Sequence, residues 1–222
     1  MPQPSLIFDL DGTLVDTAPD LLGATNEVLR SQGRATVDPA TLRHMVGFGA
    51  RSLIEQAMAA TGAPVEASTL PGLVDVFLEH YRAHIADESV AFPGVERTLE
   101  RLLAEGRRLA VLTNKPQEMA DLLLQALNLD RFFPVVYGAG RMTYVKPDAR
   151  IFHDVVRELG GEPGIMIGDS ITDVATARAA KAPVILVSYG YTPEPAHTLG
   201  GDAVTDDFAQ IPALAHKILT RS

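Results

Sequence analysis

Ser5-Leu6-Ile7-Phe8-Asp9-Leu10-Asp11-Gly12-Thr13-Leu14-Val15-Asp16-Thr17 is the stretch that decides the fold. Leu6, Ile7 and Phe8 form an apolar run without polar alternation, the pattern of a strand buried on both faces of a parallel sheet. The run ends at Asp9, and Asp11, Gly12 and Thr13 follow at once. A strand end that delivers two carboxylates beside a glycine turn is poor core material but suits a hard metal ion and a phosphoryl group.

Outward from this stretch the chain changes character twice. Asp16, Thr17, Pro19 and Asp20 carry the signals of a helix start, and a helix is expected to about residue 31. Only helical patterns follow: 39–45, 50–60, and 70–85, where Leu73, Val76, Phe77, Tyr81 and Ile85 recur at helical spacing. After Phe92-Pro93-Gly94 the pattern alternates. Helices are expected at 95–105, 117–127, 149–159, 171–180 and 211–219, and strands at 109–113, 135–137, 165–167 and 184–187. Such alternation gives an α/β fold, a parallel sheet covered by helices on both faces. The expected organisation is a core of residues 1–15 and 92–222, interrupted after its first strand by an all-helical insert, 16–91.

The 222 residues and 46% hydrophobic content allow a sizeable core. The net charge of -9 argues against nucleic acid and anionic membranes, which need basic patches; Arg107-Arg108 is the longest such run. No apolar stretch reaches spanning length, and the N-terminus carries neither a basic nor an apolar leader. Without cysteine there is no disulfide framework or thiolate site, so a cytoplasmic protein, monomer or homodimer, is expected.

In doubly wound sheets ligands gather at the carboxyl ends of the strands. Those ends supply Asp9 and Asp11, then Thr113 and Asn114, then Asp169 and Asp173, with Lys146 able to reach the same edge. The set reads as a phosphoryl-transfer site for a small phosphorylated metabolite. Asp9 and Asp169 offer hard oxygens to Mg²⁺. A carboxylate approaching a phosphate is repelled by about 4 kcal/mol at 4 Å and an effective dielectric near 20, and the cation together with Lys146 removes that barrier. Asp9 is then the nucleophile, Asp11 the acid and base, Thr113 and Asn114 the phosphate-binding groups, and Asp173 the group that orients metal-bound water. Plainer roles also exist: Thr113 as a helix cap, Asn114 as a turn residue, Asp173 as a first-turn acid. Lys115 reads as a solvated helix-start residue, and His80 and His84, one turn apart, as surface or packing groups.

DLDGT at 9–13, LTNK at 112–115, VKPD at 145–148 and GDSITD at 168–173 resemble, in order, the four motifs of the haloacid dehalogenase superfamily. The resemblance spans nearly the whole chain, and the helical insert is similar in position to that superfamily's cap. It implies a Rossmann-like sheet of strand order 5-4-1-2-3, Asp9 as nucleophile, Asp11 as acid/base and backbone-carbonyl metal ligand, Thr113 and Lys146 as phosphate-binding groups, and Asp169 as metal ligand. MVGFGA, FPGV, LTNKP and SYGY together look like the branch that hydrolyses 2-phosphoglycolate.

Selectivity is then expected from the insert. In Gly47-Phe48-Gly49-Ala50-Arg51 the glycines allow close approach and Arg51 is a candidate partner for a substrate carboxylate, or simply an exposed helix-start arginine. Phe48 stands where that branch often carries a polar residue, which leaves room for a larger or less polar leaving group. A sugar phosphomutase on the same fold and a phospho-accepting signalling module are the competing expectations.

Overall fold

Strand β1, Ser5–Phe8, is buried at every residue and sits near the middle of a six-stranded parallel sheet. The computed structural model describes residues 4–161 and 163–220. Adding β4 (Leu109–Pro116), β5 (Val135–Ala139), β6 (Gly164–Gly168), β7 (Val184–Val187) and β8 (Ala203–Thr205) gives the order β5-β4-β1-β6-β7-β8. The order reverses at β1, which pairs with β4 on one side and β6 on the other, Phe8 lying opposite both Val111 and Ile167.

Continuous apolar strands follow from two buried faces. Leu6, Phe8, Leu109, Val111, Ile165, Ile167, Ile185 and Val187 point into one cluster beneath α5 (Val95–Ala104) and α9 (Ile211–Leu219). The intervening Ile7, Ala110, Leu112, Met166, Val184 and Leu186 point into the other, beneath α7 (Ala149–Glu158) and α8 (Ile171–Ala179). The alternation of side chains along each strand thus splits one apolar run between two helical layers.

Between β1 and β4, helices α1 (Ala18–Ser31), α2 (Pro39–Arg43), α3 (Ala50–Ala60) and α4 (Leu70–Ala83) close around a separate cluster containing Leu29, Leu42, Ile54, Leu70, Phe77 and Tyr81. Met119 of α6 (Gln117–Ala126) and Tyr191 join it from the sheet side. The chain enters and leaves this segment through two short strands, β2 (Val15–Asp16) and β3 (Val90–Ala91), paired antiparallel.

Three expectations are corrected. The sheet has a sixth strand, β8, at its edge, only partly buried and without the continuous apolar run of the inner strands. The segment expected to be all-helical ends in β3, whose two residues are ordered by β2 rather than by any pattern of their own. Strand β4 runs three residues beyond 113, because between Leu112 and Pro116 its register against β5 shifts: four steps on β4 match only two on β5, from Tyr137 to Ala139.

Candidate active site

The acidic centre is built at the carboxyl edge, where β1, β4 and β6 end side by side. Asp9 is held at the backbone by its N–H donating to the Ile167 carbonyl at 2.8 Å. Its Oδ1 accepts from the Leu10 N–H at 2.7 Å and lies 3.0 Å from the Lys146 ammonium, while Oδ2 accepts no hydrogen bond among the described residues. Asp169, following β6, accepts from the Thr13 hydroxyl at 3.1 Å and from the Tyr191 N–H at 2.7 Å. The turn after β1 must let the two acids approach. Gly12, at φ +80°, passes so near Asp169 that a β-carbon there would stand 2.5 Å from its Oδ2.

Asp9, Asp169 and Asp173 are buried and offer oxygens within 4.8 Å of one another, and the buried ammonium of Lys146 pairs with two of them. Burial pushes the Asp9 carboxyl up to about 7, Asp173 and Asp11 adding to the effect and Lys146 opposing it. Asp169 is raised well above the usual carboxylate range by burial and by the charges of Asp173 and Asp9. Lys146 goes the other way: burial works against its charge, but Asp173 and Asp9 hold its pKa above the ordinary lysine value. Three carboxylates facing one lysine leave two negative charges uncompensated when ionised, a donor set of hard oxygens that fits a divalent cation.

Asp173 is the most fully engaged of the three. Its Oδ2 accepts from the Ser170 hydroxyl at 2.7 Å and from the Ser170 and Asp169 N–H groups at 3.1 and 3.2 Å, and its Oδ1 from Lys146 at 2.6 Å. With Ser170 it forms a capping box on α8. Asp173 thus fixes Lys146 and the turn that carries Asp169, while its Oδ1, with one hydrogen bond, still stands with Asp9 and Asp169 in the acidic group.

The shifted register of β4 turns Thr113, Asn114 and Lys115 toward this centre. The buried Thr113 hydroxyl oxygen accepts from the Lys115 N–H at 3.1 Å, and its proton has no acceptor among the described residues. Asn114, expected to bind phosphate, points its amide N–H donors at the carbonyls of Lys146 (3.2 Å) and Gly47 (3.4 Å). It ties the α2–α3 loop to the sheet with both of its side-chain donors. Lys115, expected in solvent, is buried: its ammonium lies 2.8 and 3.2 Å from the two carboxylate oxygens of Asp11 and 4.5 Å from the Tyr81 ring centroid. The reason is the strand extension, which puts residue 115 inside the sheet edge instead of at a helix start.

Two cavities meet at Asp11. One, about 30 Å³, reaches from Asp9 and Thr113 to Lys115 and Tyr81 between apolar walls including Leu53, Phe77 and Met119. The other, about 130 Å³, contains Asp11, Asp169, Ser170, His44 and Phe48. Phe48, half exposed, stands at the edge of the acidic centre. Arg51 does not: it lines neither cavity, is 59% exposed, and pairs with Glu55 at 3.4 Å one turn along α3. His80 and His84 stack on each other at 4.5 Å, outside both cavities.

Tyr191 escaped the sequence reading except as part of SYGY. Its buried hydroxyl accepts from the N–H groups of Thr17 (2.6 Å) and Ala18 (3.0 Å) and donates to Asp16 at 2.7 Å, and Arg43 completes the junction 2.9 Å from Asp16. Thr17, at the start of α1, makes no side-chain cap; a tyrosine from after β7 does that work. No helix among the described residues is long and apolar enough to cross a membrane.

Comparison with known proteins places these features in a wider set. The family model of haloacid dehalogenase-like hydrolases matches residues 6–187. The chain is 45% identical to a phosphoglycolate phosphatase of Caulobacter vibrioides over 97% of this chain and 92% of that protein. It is 41% identical to one of Agrobacterium fabrum over 99% and 95%. Among solved structures, a predicted phosphoglycolate phosphatase of Haemophilus somnus superposes with a TM-score of 0.90 at 28% identity, covering 96% of this chain and 97% of that one.

Proposed function

The chain belongs to the haloacid dehalogenase-like hydrolases and is a phosphatase; from that premise we propose that it hydrolyses 2-phosphoglycolate to glycolate and phosphate, with Mg²⁺ as cofactor and Asp9 as nucleophile. The observation that carries this reading is the buried acidic centre with Lys146 at the reversal of the sheet. Helices α1–α4, residues 16–91, form the cap over a core of residues 1–15 and 92–222.

In this mechanism Asp9 Oδ2, the oxygen without a hydrogen bond, attacks phosphorus as the ester P–O bond breaks, giving an aspartyl phosphate. Asp11 gives the leaving alkoxide its proton; it then takes one from the water that attacks phosphorus and returns Asp9 as a carboxylate. Lys146, on Asp9 Oδ1, favours the ionised nucleophile and stabilises charge gathering on the phosphoryl oxygens. Thr113, with its free hydroxyl proton, holds the transferred group. Asp9, Asp169 and the Asp11 backbone carbonyl would hold Mg²⁺, which would supply the positive charge that lets two anions meet. Asp169 keeps lone pairs for it, because each of its oxygens accepts only one hydrogen bond.

The test is phosphate release from a panel of phosphomonoesters with and without Mg²⁺. The expected result is Mg²⁺-dependent turnover with 2-phosphoglycolate preferred, and a loss of at least about a thousandfold in Asp9→Asn. A folded Asp9→Asn protein with near-normal turnover would overturn the mechanism, and conversion of β-glucose 1-phosphate to glucose 6-phosphate without free phosphate would favour the mutase chemistry.

A further inference from the structure

We infer that Lys115 and Tyr81 form the subsite that recognises the carboxylate of the substrate's leaving group, the role that sequence reading gave to Arg51. The inference rests on the phosphoglycolate reading above and adds the residues that would select for it.

Lys115 is a buried cation in a small cavity that also contains Asp9 and Thr113, so a leaving group of a few atoms attached to phosphorus at Asp9 extends toward it. An ammonium has three N–H donors. The contacts to the two Asp11 oxygens leave at least one without a charged acceptor among the described residues. Next to it, the Tyr81 hydroxyl is fully buried and its proton has no acceptor among the described residues, and the ammonium sits over the ring face, 4.5 Å from its centroid. A buried hydroxyl is unfavourable until something accepts its proton. One carboxylate satisfies both donors, whereas a neutral alcohol would leave the cation without a charged acceptor of the substrate's own. The apolar walls strengthen this charge-assisted recognition by excluding water. The two donors come from different parts of the chain, Lys115 from the bulged end of β4 and Tyr81 from α4, so the subsite exists only where the helical segment meets the sheet.

The test compares kcat/KM for 2-phosphoglycolate and for 2-hydroxyethyl phosphate, the same ester with the carboxylate replaced by a hydroxymethyl group, in the wild type, Lys115→Met and Tyr81→Phe. Because Lys115→Met also releases Asp11, the readout is the preference ratio between the esters rather than either rate. The ratio is expected to fall about 100-fold in Lys115→Met and about 10-fold in Tyr81→Phe, the range for charge-assisted and neutral hydrogen bonds to a buried anion. Tyr81→Phe keeps the packed ring and tests the subsite even if Lys115→Met folds poorly. A wild type that prefers the carboxylated ester, with that preference unchanged in folded variants, overturns this inference and leaves the substrate reading intact. A wild type without any preference overturns both.

Discussion

Asp9 and Asp173 lean on the same ammonium but answer to opposite electrostatic demands. Asp173 accepts from donors on both oxygens, so Asp173→Asn breaks the 2.6 Å pair with Lys146 and the capping box together. It is expected to destabilise the protein by about 2 kcal/mol, read by urea denaturation. Lys146→Met leaves three buried carboxylates with no cation among them and is expected to cost about 3–5 kcal/mol in metal-free buffer, part of which added Mg²⁺ restores. Asp9 was readable as special from its position after an apolar strand. That Asp173 also holds Lys146 and caps its own helix was not, since a first-turn aspartate looks the same in sequence whatever its oxygens face.

At the level of elements, the junction between sheet and helical segment rests on side chains that no local pattern announces. Tyr191→Phe removes the acceptor for the first amides of α1 and the donor to Asp16. A loss of about 1–3 kcal/mol is expected in thermal or chemical unfolding, because two buried N–H groups then lack a partner. Asp20 does the same for the return strand, accepting from the Glu88 and Ser89 N–H groups and the Ser89 hydroxyl. The register shift in β4 is the other decisive element: it converts a short strand followed by a helix start into an extended edge that buries Lys115. The run from Leu109 to Thr113 was legible as strand; its continuation depends on pairing with β5.

For the whole molecule, the acidic centre is a reservoir of electrostatic strain that metal-free protein carries and cation binding relieves. The folded Asp9 pKa of about 7 lies above the unfolded value of 3.8, so between these pH values unfolding releases a proton and rising pH favours the unfolded state. The group therefore costs stability that grows through that window and is fully felt above it. In EDTA, Asp9→Asn is expected to melt higher than the wild type, by a few degrees at pH 8 and by almost nothing near pH 4. Mg²⁺ should raise the wild-type Tm more at pH 8 than at pH 5, and a Tm difference independent of pH would contradict the assigned environment of Asp9.

The sequence by itself determined the α/β core, its interruption by helices, and the acids at the strand ends, because burial on both faces imposes continuous apolar runs and because DLDGT and GDSITD place carboxylates where those runs stop. Only the tertiary structure decided which charged groups are partners. Lys115 faces Asp11 and Tyr81, Asp173 serves Lys146 and its own helix, Arg51 stays in solvent, and Tyr191 caps a helix whose first residue lies 173 positions earlier in the chain. The physical reason is range: hydrophobic periodicity is written within a few neighbouring residues, whereas a buried charge takes its partner from whichever element packing brings within about 3 Å.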